Sequence, residues 1–223
     1  MASSTPIDLY CERVDAGFWS EPVNALTNIA FLVVAALAFR HWCRKGGSDP
    51  AGLALIVITS AIGLGSFAFH TLATADSSIL DVVPIAAFIY GYFLLALRRF
   101  LAVPLLPALA LVAGFAAISF GVPGLLPPDF LNGSGGYLPA LAALIVVGAV
   151  AGLPWASDIA AQQRQASRAL LAAAAIFALS LAFRSVDLAL CAAFPLGTHF
   201  LWHLLNATVL HVLLRAAMSW NPG

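Results

Sequence analysis

The stretch 52–70, GLALIVITSAIGLGSFAFH, contains no charged residue before the histidine that closes it. A run of about 20 apolar residues is long enough to cross the hydrocarbon core of a bilayer as an α-helix. Its Ala, Leu and Gly content and its lack of polar–apolar alternation argue against a β-strand. The stretch therefore predicts a transmembrane helix.

The composition of the whole chain extends this prediction. Of the 223 residues, 62% are hydrophobic and only 9% are charged, whereas soluble domains contain about 25% charged residues. Ten basic and ten acidic residues leave no net charge that would attract a polyanion. The composition excludes a soluble enzyme, a disordered chain and a nucleic-acid-binding protein, and three cysteines are too few for a disulfide-rich scaffold.

Six further apolar stretches, each bounded by charged residues, Gly or Pro, resemble the first. Together they predict an all-α polytopic membrane protein with seven transmembrane helices. We expect a single membrane domain over 1–223 that begins with an outer N-terminal segment, 1–21. The predicted spans are 22–40, 52–70, 79–97, 104–120, 137–153, 167–187 and 198–216.

The basic residues predict the orientation of these spans. Basic residues accumulate in cytoplasmic loops, and only Arg13 and Arg184 fall on the side of the N-terminus. The N-terminus is therefore predicted outside and the C-terminus in the cytoplasm. The eight basic residues on the cytoplasmic side are Arg40, Arg44, Lys45, Arg98, Arg99, Arg164, Arg168 and Arg215.

Three of the five histidines are expected at one depth in the membrane. His70 ends the second predicted span, and His199 and His203 begin the seventh, four residues apart and so on one helix face. Three histidine nitrogens with a fourth position open for water form the ligand set of a catalytic zinc. The alternative is that the helix-end histidines bond to backbone or water. His41 and His211 are interpreted as structural.

Two further polar residues are expected near these histidines. Ser66 lies one turn before His70, and Asp81 begins the third predicted span. Beside a zinc-bound water, a carboxylate can accept the proton and a hydroxyl can donate to an oxyanion. Each residue also has a structural alternative. Ser66 can bond to its own helix, and Asp81 can be a carboxylate favoured at a helix N-terminus.

The remaining polar residues in the spans are interpreted as structural. Arg184 and Asp187 are three residues apart on one predicted helix, which predicts an ion pair. Asn24, Thr27 and Asn28 are predicted to form hydrogen bonds between helices.

Several short motifs are spread over nearly the whole chain: YCE at 10–12, EPVNALTN at 21–28, GSFAFH at 65–70, Asp81, Asp187, Cys191 and HFLWH at 199–203. Each is weak alone, but their joint occurrence is specific. Together they resemble the alkaline ceramidase family, within a wider superfamily of seven-helix, zinc-dependent lipid hydrolases and related receptors.

The resemblance implies zinc bound by His70, His199 and His203. It implies Asp81 as the base acting on the metal-bound water and Ser66 as the group stabilising the oxyanion. The implied reaction is hydrolysis of the ceramide amide to a sphingoid base and a fatty acid. Such cleavage requires an activated water and stabilisation of charge on the carbonyl oxygen, which agrees with these residue types.

The resemblance also implies a disulfide bond between Cys11 and Cys191. The predicted orientation independently places both cysteines on the outer, oxidising side, where a disulfide can persist. Cys43 falls on the cytoplasmic side and is expected to remain a free thiol.

Animal members of the family bind calcium through an acidic N-terminal segment, and Glu12 and Glu21 match two of those ligands. Leu9 and Val14 stand where the family has Asp and Asn. The alternative is a solvated acidic segment without a metal ion. Two other carboxylates could supply some of the several oxygens that calcium requires: Asp8 and Asp15.

The sequence thus predicts a zinc-dependent intramembrane amidase acting on ceramide, with a membrane lipid as its partner and no nucleic-acid or protein partner. Two alternatives stay open. One is a zinc-dependent acyl or ester hydrolase acting on another membrane lipid. The other is a seven-helix, receptor-like protein with structural zinc, which would need neither Ser66 nor Asp81. The expected location is a bacterial inner membrane, or an endomembrane if the chain is eukaryotic.

Overall fold

The structure, a computed structural model, describes residues 7–153 and 160–220, and within these ranges the chain contains helices and no β-strand. The helices α1 and α2 adjoin at Asn28 and form one apolar span. Two short 3₁₀ turns, Val122–Leu125 and Gly135–Tyr137, lie between α5 and α6. The described α-helices are α1 (Pro22–Thr27), α2 (Ile29–Arg44), α3 (Pro50–Leu72), α4 (Ala75–Arg99), α5 (Leu105–Gly121), α6 (Leu138–Ala151), α7 (Ala160–Leu190) and α8 (His199–Ser219).

The helices have the length and surface of a membrane protein. Large apolar side chains are exposed on the outside of the bundle, including Leu64, Val83, Leu106 and Ile118, where lipid would cover them. The stretch Gly135–Ala151 is apolar but shorter than the other spans. Six described spans are long and apolar enough to cross a membrane: Pro22–Arg44, Pro50–Leu72, Ala75–Arg99, Leu105–Leu125, Ala160–Leu190 and His199–Ser219. The predicted all-α polytopic architecture is confirmed, and the protein is an integral membrane protein.

The helices follow one another around a ring. Each helix from α2 to α7 packs on the next one in the chain, and α8 closes the ring by packing on α1 and α2. Mostly short connections favour this order, because they make consecutive helices neighbours. Helix α8 also contacts α3 and α4, so its side chains can meet theirs inside the ring.

The start of α4 differs from the predicted start of the third span at residue 79. Thr74 and Ser77 form a capping box, in which each side chain bonds to the backbone of the other residue. Helix α4 consequently begins at Ala75, and Asp81 lies in its second turn. The alternative that Asp81 is a carboxylate at the helix N-terminus is therefore wrong.

Different groups join the helices at the two ends of the bundle. At the end that we call the basic end, Arg99 forms two hydrogen bonds to the Asp49 carboxylate, 2.6 and 2.9 Å long, and another to the Ala217 carbonyl. These bonds join α4 to the start of α3 and the end of α8.

At the opposite end, which we call the site end, a disulfide bond joins Cys11 to Cys191, which follows α7. It connects the N-terminal segment 7–21 to the ends of the helices. The predicted disulfide bond is confirmed, and Cys43 is a free, exposed thiol as predicted.

Candidate metal centre

Three histidines meet between α3 and α8 at the site end. His70 lies near the end of α3, and His199 and His203 lie in the first two turns of α8. One potential ligand nitrogen of each lies within 4.8 Å of those of the other two, and all three residues are buried. They are thus positioned to bind one metal ion. His41 and His211 do not belong to this group.

Hydrogen bonds orient two of the three imidazoles. His70 Nδ1 bonds to Glu21 Oε2 at 2.6 Å, and His203 Nδ1 bonds to Thr27 Oγ1 at 2.9 Å. The Thr27 hydroxyl donates its hydrogen within its own helix, so its oxygen accepts the His203 Nδ1–H, which leaves the lone pair of His203 on Nε2. A carboxylate or hydroxyl that fixes a histidine in this way is the usual support of a metal ligand.

Two nitrogens of the cluster are buried without a hydrogen-bond partner among the described residues. They are His199 Nδ1 and His203 Nε2. A buried polar atom without a partner is costly, and a metal ion would satisfy such nitrogens. The donor set therefore fits a zinc ion, which binds neutral imidazoles.

Asp187 fixes the start of α8 and so the position of His199. Its carboxylate accepts hydrogen bonds from the backbone amides of Thr198 at 2.6 Å, His199 at 2.9 Å and Cys11 at 2.9 Å. Gly197 has a φ of +67°, and a Cβ added there would lie only 2.7 Å from the Cys11 Cβ. The turn into α8 therefore requires glycine.

Arg184 has partners other than Asp187, so the predicted ion pair between these two residues is wrong. Its guanidinium donates to Ser134 Oγ at 2.9 Å and to the Tyr10 hydroxyl at 2.5 Å. Tyr10 in turn stacks on His199, with ring centres 3.6 Å apart. The guanidinium also lies 5.2–5.7 Å from the centres of three aromatic rings: Tyr10, Tyr137 and Trp202.

Ser66 and Asp81 lie together beside the histidines. The Ser66 hydroxyl is within hydrogen-bonding reach of the Asp81 carboxyl group, and His70 is a further electrostatic neighbour of Asp81. Among the described residues, Asp81 Oδ1 is buried without a hydrogen-bond partner. One carboxyl oxygen at this position is therefore available to a bound molecule.

A close crossing of α3 and α4 permits this arrangement. A Cβ added to Gly65 would overlap the Leu80 carbonyl oxygen and lie 2.6 Å from the carbonyl carbon. Pro84 lies four residues after Leu80 and has no N–H to bond that carbonyl within α4. The free carbonyl can therefore approach Gly65, next to Ser66 and Asp81.

An apolar cavity lies beside the histidines. Its internal volume is about 110 Å³, and it is partly open. Its lining includes Ser66 and His203 and continues along α8 to Leu213, about 15 Å beyond His203 at the helical rise. The described lining residues include no Lys, Arg, Asp or Glu. The cavity thus suits an alkyl chain whose polar group lies near the histidines.

A family model described as Ceramidase matches residues 4–220 of the chain. The chain belongs to the ceramidase family. The membership predicted from the scattered motifs is confirmed over nearly the whole sequence. None of the curated proteins compared with this ceramidase family member matches it.

The two glutamates expected to bind calcium in this ceramidase family member are already paired with nitrogen donors. Glu12 accepts hydrogen bonds from two consecutive backbone amides in α1, at 2.6 and 2.7 Å, while its burial raises its pKa. Glu21 bonds to His70, to Asn24 at 3.1 Å and to Arg13 at 2.5 Å. Burial alone would raise the pKa of Glu21, but these donors hold it below its ordinary value.

The three histidines are recognisable in the sequence, but the roles of the residues that support them are not. Thr27 forms a predicted interhelical bond, and its partner is His203. Glu21 matches a calcium ligand of the family by motif, and in the structure it contacts His70. Tyr10 lies beside Cys11 in the sequence, and the predicted disulfide bond was the signal that could have located it near the site.

Proposed function

We propose that this protein is a zinc-dependent intramembrane amidase that hydrolyses ceramide to a sphingoid base and a fatty acid. Membership of the ceramidase family and the three buried histidines beside an apolar cavity support this function. The observation that carries the proposal is that Ser66 and Asp81 lie together beside the histidines. A receptor with purely structural zinc would need neither residue.

The proposed roles follow from the groups present. His70, His199 and His203 would hold the zinc. When bound, zinc supplies a water molecule with a pKa of about 7 and polarises the substrate carbonyl. Asp81 would accept a proton from the attacking water at Oδ1, the oxygen without a partner, and return it to the leaving nitrogen. The Ser66 hydroxyl would donate to the carbonyl oxygen as its negative charge develops.

The cavity supports ceramide rather than a phospholipid as the substrate. Its described lining residues would surround an alkyl chain with apolar side chains, and they provide no Lys or Arg to pair with a phosphate. Ceramide has an uncharged head group and therefore needs no such partner. The competing function is acyl or ester hydrolysis of another membrane lipid by the same metal site.

The decisive experiment replaces Asp81 with asparagine, which has a similar shape but cannot accept the proton. We expect ceramide turnover to fall by about 10²- to 10⁴-fold, while the purified protein keeps about one zinc per chain. Asp76→Asn is the control, because Asp76 lies exposed in the first turn of α4. Unchanged cleavage by Asp81→Asn would contradict the proposed mechanism. Cleavage of a glycerolipid with intact ceramide would favour the competing function.

We further propose that the site end faces the non-cytoplasmic side of a bacterial inner membrane, or of an endomembrane in a eukaryote. The eight basic residues on the other side of the predicted topology support this orientation. The Cys11–Cys191 bond lies at the site end, and disulfide bonds persist in oxidising compartments. The single membrane domain over 1–223 is part of the same proposal.

A further inference from the structure

Arg13 is a buried cation at the centre of the N-terminal segment. Its Nε donates to Glu21 Oε1 at 2.5 Å, and both side chains are only 2% exposed. Its two terminal nitrogens donate to the backbone carbonyls of His70, at 2.9 Å, and Asp15, at 3.3 Å. The guanidinium therefore donates hydrogen bonds to oxygens of the N-terminal segment, of the residue before α1 and of the last turn of α3.

The contacts of Arg13 lead directly to the candidate metal centre. Glu21 accepts from Arg13 through one oxygen and from His70 Nδ1 through the other. Arg13 also binds the His70 carbonyl, where a positive charge is favoured because helices carry partial negative charge at their C-terminal ends. The guanidinium thus holds His70 by its backbone and, through Glu21, by its imidazole.

Calcium does not fit this arrangement. It requires six to eight oxygen ligands, but both oxygens of Glu12 accept backbone amides, and the oxygens of Glu21 accept from Arg13, Asn24 and His70. Leu9 and Val14 offer no side-chain oxygen. The two candidate replacements do not point to a shared ion either: Asp8 is exposed, and Asp15 bonds to the Gly17 amide.

We propose that Arg13 is a positioning residue whose guanidinium serves as a built-in cation. It holds Glu21 in the geometry that orients His70 for zinc, so that zinc binding needs no calcium. This inference rests on the proposed zinc site and deepens it. The positive charge that joins the N-terminal segment to the metal centre would thus belong to a side chain of the protein and not to a bound ion.

The physical reason is the burial of Glu21. A buried carboxylate that loses one partner of a charge pair is strongly unfavourable, so Glu21 without Arg13 would turn away from its present position. This movement weakens the Glu21–His70 hydrogen bond. Loss of such an outer partner typically lowers metal affinity by about 10- to 100-fold.

The test measures zinc affinity by chelator competition in detergent-purified protein. Arg13→Gln should weaken zinc binding by about 10- to 100-fold. Arg13→Lys should restore part of this loss, because lysine keeps the charge but not the planar fork of donors. Arg99→Gln is the matched control, because it breaks the Asp49 ion pair at the basic end. It should lower the unfolding temperature and leave zinc affinity within about 2-fold.

A second test uses wild-type protein and so does not require that any variant folds. Its zinc affinity should be the same in buffer prepared from calcium-free reagents as in millimolar calcium. An increase of tenfold or more on adding calcium would overturn the proposal. So would wild-type zinc affinity in Arg13→Gln, or equal losses in Arg13→Gln and Arg99→Gln. A wild-type protein that binds zinc but leaves ceramide intact would refute the proposed substrate and not the role of Arg13.

Discussion

Replacing Gly65 with alanine should separate Ser66 from Asp81 and slow turnover without removing the metal ligands. The added Cβ would lie 2.6 Å from the Leu80 carbonyl carbon, whereas ordinary contact begins at 3.4 Å. Helices α3 and α4 must therefore move apart at this crossing by at least this difference, about 0.8 Å, and by more where the Cβ would overlap the carbonyl oxygen. A misplacement of about 1 Å can cost on the order of 100-fold in rate, so we expect kcat to fall by about that factor.

The assay compares hydrolysis of a ceramide substrate with zinc content in detergent-purified protein. Gly65→Ala should keep its zinc, because the three ligands lie on α3 and α8 and not on α4. Gly114→Ala is the control, since a Cβ at this α5 glycine meets nothing within 4 Å, and it should have wild-type turnover. Wild-type turnover in Gly65→Ala would refute the reasoning that this crossing sets the Ser66–Asp81 geometry. A parallel loss of zinc would show that the ligands moved instead.

Two further predictions concern the basic end. Hydrogen bonds from Arg99 hold the pKa of Asp49 below its ordinary value of 3.8, so the stabilisation from this carboxylate is complete above that value and is lost as the pH falls through the lower folded pKa. The unfolding temperature of wild-type protein should therefore fall more steeply with decreasing pH in this range than that of Asp49→Asn. Identical dependence of the unfolding temperature on pH in the two proteins would contradict the role of the Arg99–Asp49 pair. Cys43, the free and exposed thiol, should react with a membrane-impermeant maleimide only after permeabilisation of cells, and labelling of intact cells would reverse the proposed orientation.

The fold and the candidate metal ligands were predictable because their signals are local. Each span is recognisable from its own composition, and four-residue spacing alone places His199 and His203 on one face. Adding His70 required only the predicted topology, which put the end of one span at the same depth as the start of another. These inferences need no knowledge of how distant side chains pack.

The contacts of the groups that support the candidate ligands depend on long-range packing and cannot be predicted from the sequence alone. The spacing of Arg184 and Asp187 predicted an ion pair, but the N-terminal segment and the turn before α8 provide nearer partners for each residue. Glu21 likewise matched a calcium ligand by motif, although a neighbouring arginine already neutralises it. Only coordinates reveal such competition, because the competing groups are far apart or unrecognised in the sequence.

The disulfide bond also implies an order of events during biosynthesis. Cys11 leaves the ribosome before its partner, which follows 180 residues later, or roughly 9–36 s at about 5–20 residues per second. During that interval Cys11 must stay reduced or pair with another thiol while the intervening helices enter the bilayer. Tyr10 can stack on His199 only after that residue has been made, and a chain truncated before Cys191 would lack the disulfide bond that holds the N-terminal segment at the histidines.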